Sequence, residues 1–537
     1  MAGESFVIVI DTPSIKKYVF GSDLLNEVRG ASARLDHLNR VEMEKCLTNH
    51  RNIEHVDAIY ANGGSAQFIV QADGAAEVRV ACTNMVRSIS EQTGGEVGIV
   101  YGVAPLNDKV SYTETVQMAH FQLRCQREFA TCHRSTSLIP IMMECGSAPH
   151  LPAGHTDPNG DMLSKASYDK RQHGREIRHH GLWEGWMQYL AKTPDAWPEE
   201  KDWRELRCED LTQIGDRSTW RNYIGIVYAD GNAMGKIVQE LDQPETFRQF
   251  SYIVDGSIRE ACFSALSEIS EPEINEIRET VGQKGPFSRL AADILLLGGD
   301  DLLVALPANR ALDFALKVTN KFESFTKDRI DALQDQTAKR FFQERLNDQG
   351  FTISCGVAIA KSNYPFYLAL DLAEQLLKNA KRRDIRTSQP TEQSAARIDF
   401  HVVSGANSYA LEQVRKDTYQ VWTDSATPRT LRPLSCVQLG QLRISVQNLR
   451  SAGFPHSKLH ELHEAALSPH WIQTSLRIQE IFARCQHSQD RSQRRALWES
   501  IDDLCPEEYR FEFPWFRQDD QRILCVADLV DAYRLFS

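Results

Sequence analysis

The chain has 537 residues, room for about three or four domains at roughly 100 to 200 residues each. Its 61 Lys+Arg against 73 Asp+Glu give a net charge of −12, which excludes a generally basic nucleic-acid coat, and 42% hydrophobic residues exclude wholesale disorder. Twelve cysteines without a CxxC pair argue against a disulfide scaffold and for a reduced, cytoplasmic protein; no stretch reaches the ~18 apolar residues of a membrane span, so neither membrane insertion nor secretion is expected.

In chain order, β-forming residues Phe6 to Ile10 run into Asp11, and an apolar helical pattern through Leu24, Leu25, Val28 and Leu35 follows. Strands at Val56 to Ala61 and Ala66 to Gln71 flank the turn Asn62-Gly63-Gly64-Ser65. A helix over Ala75 to Glu91 and a strand over Glu96 to Val103 complete a βαββαβ order, the ferredoxin-like arrangement. Residues 106–220 are less periodic and rich in His, Pro and Gly, and read as an irregular connecting domain.

The same order returns from Tyr223. Ile224 to Tyr228 is a buried-type strand leading to Asp230, helical sequence extends to about Ile269, and strands Ile294 to Leu297 and Leu302 to Leu306 surround Gly298-Gly299-Asp300-Asp301. A helix near Ala311 to Phe325 and a strand Phe351 to Ala360 close this copy. Asp11 and Asp230 stand 219 residues apart and the two Gly-Gly turns 235 apart. The expected fold is α+β: a first ferredoxin-like domain over 1–105, the connecting domain over 106–220, a second ferredoxin-like domain over 221–397, and a mainly helical domain over 398–537 after a linker at Arg386 to Arg397. A short apolar stretch, Ile523 to Val530, lies near the end.

Asp300 and Asp301 form the tip of a hairpin whose first strand is almost continuously apolar, and two adjacent carboxylates repel unless a cation or solvent separates them. With Asp230 on the neighbouring strand, three hard oxygen donors would meet at one sheet edge, a set suited to two Mg²⁺ or Mn²⁺ ions bound with a triphosphate. Gly298 and Gly299 would let the backbone approach the ligand closely. The competing reading is a solvated acidic turn, a common use of Asp and Gly.

The loop Asp230-Gly231-Asn232-Ala233-Met234-Gly235-Lys236 leads into a helix start able to hold phosphate through Gly231, Asn232 and Gly235, although it lacks Walker spacing. On the helix from Phe366, Leu370, Ala373, Leu377 and Ala380 make the core stripe while Lys378 and Lys381 occupy another face. These lysines either neutralise a leaving pyrophosphate, Lys381 as a catalytic group, or simply solvate the helix end. Cys125, Cys132, His133, Cys145, His150 and His155 are a candidate zinc set, but they lack paired cysteines, and unpaired cysteines are more often small core residues. Lys170 to His180 is the best local basic patch for a nucleic acid, the competing reading being a solvated surface.

The stretches IDTPSIKKYVFGSDLLNEVRGASARLDHLN, VYADGNAMGK, LLLGGDDLLVALP and RTLRPLS together resemble the large polymerase-like subunit of type III CRISPR effector complexes over nearly the whole chain. The resemblance implies two palm domains flanking a small, often zinc-binding domain, a helical C-terminal domain, and a second palm that turns ATP into cyclic oligoadenylate for antiviral defence. It carries the metal-binding role onto Asp230, Asp300 and Asp301. It implies guide and target RNA and small effector subunits as partners, or a homo-oligomer for a free-standing relative. Many members begin with an HD nuclease domain; this chain has no His-Asp dipeptide, so DNA cleavage is not expected.

The first copy has Asp11 but Asn-Gly-Gly-Ser at its turn, too few carboxylates for a metal pair, so with Asp11 it is expected to bind an acceptor nucleotide or to serve as a structural partner. The sequence therefore reads as a metal-dependent nucleotidyltransferase making a cyclic oligonucleotide from ATP. The alternatives are a non-catalytic RNA-binding scaffold and a cyclase closing a mono- or dinucleotide ring.

Overall fold

A computed structural model describes residues 3–536 apart from 14, 23, 108, 131–141, 150, 177–180, 193–195, 283–286, 383–394, 404, 406–409, 420–427, 469, 486–490, 505–509 and 519–520. It is a mixed α+β structure. The first sheet holds β1 (Glu4–Asp11), β2 (Ile53–Asn62), β3 (Ser65–Ala72) and β4 (Val100–Leu106) in the order β2-β3-β1-β4, with helices α1 (Leu25–His37) and α2 (Ala75–Gln92) in its two crossovers. All its pairings are antiparallel, and Asp11 stands opposite Ser65. Expected and observed elements agree except at β4, which starts at Val100, four residues later than expected.

The connecting segment is more regular than its composition suggested. It contains α3 (Tyr112–Ala130), α4 (Lys165–Glu176) and α5 (Leu182–Ala191). Helix α3 is mostly polar, so its periodicity is faint, but Val116, Ala119 and Leu123 pack with Val7, Val9 and Val100 on one face of the first sheet. Helices α1 and α4 touch backbone to backbone: a Cβ on Gly30 would lie 1.9 Å from the Lys170 carbonyl oxygen, and one on Gly174 would lie 2.6 Å from that of Asn26. Two glycines thus set the closest approach of the connecting segment.

The second sheet is built on β5 (Tyr223–Gly231). Helices α6 (Met234–Glu240) and α7 (Pro244–Ile269) follow, then the hairpin of β6 (Asp293–Gly298) and β7 (Asp301–Pro307), helix α8 (Ala308–Asp331), β8 (Ile353–Lys361) and helix α9 (Phe366–Lys381). Its central order, β8-β5-β7-β6, repeats that of the first sheet. The register corrects the motif comparison by one residue: Asn62 pairs with Ser65 and Gly298 with Asp301, so Gly298 corresponds to Asn62 and not to Gly63.

Beyond β8 the sheet gains β9 (Arg397–Val402), parallel to β8, and β10 (Leu434–Ser435). The boundary expected at 397/398 therefore cuts a strand, because Arg-Ile-Asp-Phe-His-Val alternates and buries Ile398 and Phe400 in the core of the second sheet. The C-terminal part is mainly helical but includes three short strands over 510–512, 515–518 and 521–524. The apolar stretch Ile523 to Val530 divides between the last of these strands and the helix Val526–Ala532.

Alternation along β5 explains how the layers join. Ile224, Ile226 and Tyr228 point into a core shared with Phe6, Ile8 and Phe68 of the first sheet, whereas Val227 and Ala229 point toward α7 and α8. Both faces of the strand are therefore dry, and its polar end projects at the rim. Among the described residues no helix is long and apolar enough to cross a membrane.

Candidate active site

Strand β5 is apolar up to Ala229, which pairs with Leu302, and the next residue is Asp230. The β6–β7 turn places Asp300 and Asp301 beside it. Gly299 has φ +64°, a left-handed conformation that glycine adopts without strain. Close approach also governs Gly231: a Cβ there would lie 2.6 Å from Asp300 Oδ2. Asp230, Asp300, Asp301, Gly231, Gly298 and Gly299 thus gather at one edge of the sheet.

The electrostatics show carboxylates crowded beyond what the nearby lysines offset. Both acidic side chains of the turn keep a rim of exposure, but their carboxyl groups are enclosed. Burial first, then Asp230, pushes Asp300 up to about 6; burial, Asp230 and Asp300 push Asp301 up to about 8. Lys381 opposes this on Asp300 and Lys16 on Asp301. The Lys381 ammonium is ion-paired with Asp230 and donates to the Gly231 carbonyl oxygen at 2.6 Å. Lys378 is exposed and pairs with none of the three aspartates. The stripe of Leu370, Ala373, Leu377 and Ala380 is buried, which aims the end of α9 at the site.

Among the described residues no group of three or more His, Cys, Asp or Glu side chains is arranged to hold a metal ion as it stands. The donor chemistry at the β5 edge nevertheless fits a hard divalent cation. Burial, and then the repulsion of the neighbouring carboxylates, raise the pKa of Asp300 and Asp301, and a cation would relieve that repulsion. Of the zinc candidates, Cys132, His133 and His150 lie outside the described residues. Cys125 is on α3, and Cys145 packs with Ala148 and Leu163.

Asn232 is anchored to the sheet. Its buried side chain donates to Thr352 Oγ1 at 3.0 Å and accepts from Ser354 Oγ at 2.9 Å, fastening the loop to β8. Gly235 lies in open space in the first turn of α6. The basic patch is also partly structural: Arg171 bonds Glu27, Asp157 and Asp161, Lys170 pairs with Glu96, and residues 177–180 lie outside the described residues.

Several residues that sequence reasoning passed over complete the site. Tyr228 donates its hydroxyl to Asp301 Oδ1 at 3.3 Å, and Lys16 lies over the Tyr228 ring at 4.7 Å while pairing with Glu374. Asp255 on α7 accepts the Gly299 N–H at 3.2 Å and holds Arg40 by two hydrogen bonds; Arg259 donates to Asp36 and to the Leu297 carbonyl. Their i,i+4 spacings, Asp36/Arg40 and Asp255/Arg259, were visible. Their pairing across more than 200 residues was not.

The turns of the two sheets meet. A Cβ on Gly63 would lie 3.3 Å from the Gly298 carbonyl oxygen, so the hairpins abut through bare backbone. Beside them a cavity of about 300 Å³ is lined by Asp11, Lys16, Gly64, Gly298 and Asp301, bringing Asp11 and the acidic edge to one space. Asp11 is half-buried, raised by burial against the opposing effect of Arg127, whose guanidinium is 3.6 Å away.

Residues 223–388 match the family model described as Cas10/Cmr2, second palm domain. Over those residues the chain is similar to a Cas10/Cmr2 second palm. The resemblance read from its motifs is confirmed there, and the palm spans β5, the acidic hairpin and α9. The chain is 26% identical over 219 residues to the CRISPR system Cmr subunit Cmr2 of Pyrococcus furiosus, covering 38% of this chain and 22% of the relative. Among solved structures it is similar to Csm1 of T. onnurineus, with 13% identity, 90% of this chain and 64% of that chain covered, and TM-score 0.48. It is also similar to the Csm1–Csm4 cassette in complex with cA4, with 12% identity, 88% and 64% covered, and TM-score 0.46. The Cas10-like chain therefore spans less than two thirds of the length of these relatives.

Proposed function

We propose that this protein is a metal-dependent nucleotidyltransferase that joins ATP into a cyclic oligoadenylate in antiviral defence. The observation that carries the proposal is the convergence of Asp230, Asp300 and Asp301 beside Lys381, at an edge whose Asp301 lines a cavity shared with Asp11. On this reading both sheets are palms. The domains follow the expected limits, 1–105, 106–220, 221–397 and 398–537, with β9 returned to the second palm. The protein would act in the cytoplasm, with guide and target RNA and small effector subunits as partners.

In the reaction, a ribose hydroxyl of one nucleotide attacks the α-phosphate of another, a new P–O bond forms, and the bond to pyrophosphate breaks. Asp230, Asp300 and Asp301 would hold two Mg²⁺ or Mn²⁺ ions. Bound there, the ions would polarise the α-phosphate and ease ionisation of the hydroxyl. Lys381 offers a positive charge to the phosphate chain. Gly231, Gly298 and Gly299 leave the backbone bare where the nucleotide approaches. Asp11 and Lys16, across the cavity, would position the acceptor, so that proximity supplies much of the acceleration.

The test incubates the purified protein with each labelled NTP and Mg²⁺ or Mn²⁺ and identifies products by mass. A cyclic oligoadenylate from ATP, lost in Asp300→Ala with Asp301→Ala while the fold survives, is the expected result. A cyclic mono- or dinucleotide would make the protein a different cyclase. No product from any NTP, with RNA binding retained, would leave the scaffold reading. Metal-dependent DNA degradation that persists in the double variant would overturn the expectation that this chain cuts no DNA.

A further inference from the structure

A second and larger recess lies outside the acidic cavity. It is a groove of about 510 Å³ between α3 and α6, with Gln117, His120 and Arg124 on one wall, Gly235 and Gln239 on the other, and Phe247 among its apolar lining. Along α3, Gln117, His120, Arg124 and Arg127 follow one another at three- and four-residue steps and so share a helix face. Arg127 ends this row at Asp11, in the acidic cavity, so the groove and the cavity are joined by one polar edge.

Among the described residues Arg124 has neither an ion pair nor a hydrogen bond, although most arginines near the site are engaged. Burial and the adjacent Arg124 lower the pKa of His120, leaving a neutral ring that can both donate and accept. The opposite wall is bare, since a Cβ on Gly235 meets no atom within 4 Å. A free guanidinium, an imidazole, two amides and an aromatic edge suit a phosphorylated nucleotide, and the volume falls within the range of small-ligand sites.

We infer that the groove between α3 and α6 binds the 5′-phosphorylated end of the growing oligonucleotide, with Arg124 as its phosphate contact. This rests on the proposed polymerising reaction. It gives the chain a place to extend away from the acidic edge, so the groove influences how many nucleotides are joined before the ring closes.

The test titrates the full-length protein, with Mg²⁺ present, with a 3′-labelled 5′-phosphorylated diadenylate and separately with a labelled non-hydrolysable ATP analogue. Arg124→Glu should weaken the diadenylate about tenfold or more, as loss and reversal of a charge-assisted contact does, and shift the ATP analogue by less than about twofold. Gly235→Gln, which fills the groove from the other wall, should do the same without changing α3. A diadenylate with a free 5′-hydroxyl should bind wild type and Arg124→Glu alike.

Equal weakening of both probes would put Arg124 in the ATP site and overturn the inference, as would unchanged diadenylate binding in both variants. Displacement of the diadenylate by AMP at equal concentration would assign the groove to a free nucleotide and also overturn it. If wild type converts no NTP while these affinities behave as expected, the proposed reaction fails and the groove stands as a nucleotide site.

Discussion

Gly231 shows how a residue without a side chain can control chemistry. Its missing Cβ makes room for Asp300 Oδ2, so Gly231→Ala must push that carboxylate aside. The methyl meets side-chain atoms of Asp300 and Met234 and not backbone, so the loss of stability should stay within the roughly 1 to 3 kcal/mol of an overpacked site. Turnover should fall about 100-fold, the usual scale for a misplacement near 1 Å. Thermal melting and steady-state kinetics on one preparation separate the two effects. Asp301 makes a different prediction. Its folded pKa, about 8, lies above the ordinary carboxylate value near 4, so the folded state binds the extra proton. That contribution to stability is fully present below pH 4 and is lost as pH rises through 8. Metal-free protein should therefore lose Tm from pH 5 to pH 8, and Asp301→Asn should flatten this slope. Equal slopes in the two proteins would refute the assignment.

Helix α9 separates what spacing can and cannot say. Its buried stripe was legible because Leu370, Ala373, Leu377 and Ala380 recur at helical period, but Lys378 and Lys381 looked equivalent until the sheet fixed which end meets Asp230. Lys381→Ala should lower kcat about 100- to 1000-fold with a smaller rise in KM, as loss of a contact to developing charge does. Lys378→Ala should remain within about twofold of wild type, as an exposed helix-end charge does. Equal losses in both variants would show that the helix end has been misassigned. Strands were legible where a run was dry on both faces, as in β5 and β6. Helix α3 was hidden by its polar composition, since few apolar residues, Tyr112, Val116, Ala119 and Leu123 among them, pack on the sheet. Strand β9 was missed because it follows a linker-like stretch and joins the sheet by a parallel pairing that no local signal announces.

At the scale of the whole molecule, the acidic hairpin is fixed by charges from both halves. Arg40 reaches from the turn after α1 to Asp255 on α7, and Asp255 in turn accepts the Gly299 N–H. Asp255→Ala should therefore lower kcat more than it changes KM for ATP, because it frees the turn bearing the carboxylates without touching the nucleotide. Asp255→Asn keeps an oxygen acceptor for Gly299 and should recover part of the loss. Arg40→Ala should follow Asp255→Ala, and the double variant should cost less than the two losses combined, the mark of coupled residues. Additive losses in that cycle would separate Arg40 from the turn. None of this network could be read from the chain, since each residue looks like an ordinary member of a solvated helix pair until the tertiary fold brings α1 and α7 together.

The bare contact between Gly63 and Gly298 also bears on how the two halves could diverge. The restriction falls on residue 63, whose backbone is left-handed at φ +59° and whose Cβ would crowd the Gly298 carbonyl oxygen at 3.3 Å, whereas a Cβ at residue 298 would meet Gly63 at an ordinary 3.4 Å. The neighbouring corners carry no such restriction. In one half the register places serine at residue 65, and in the other it places aspartate at residue 301. Two copies of one hairpin can thus stay locked where they touch and drift apart one step away. One becomes the acidic working edge and the other the anvil against which it is held.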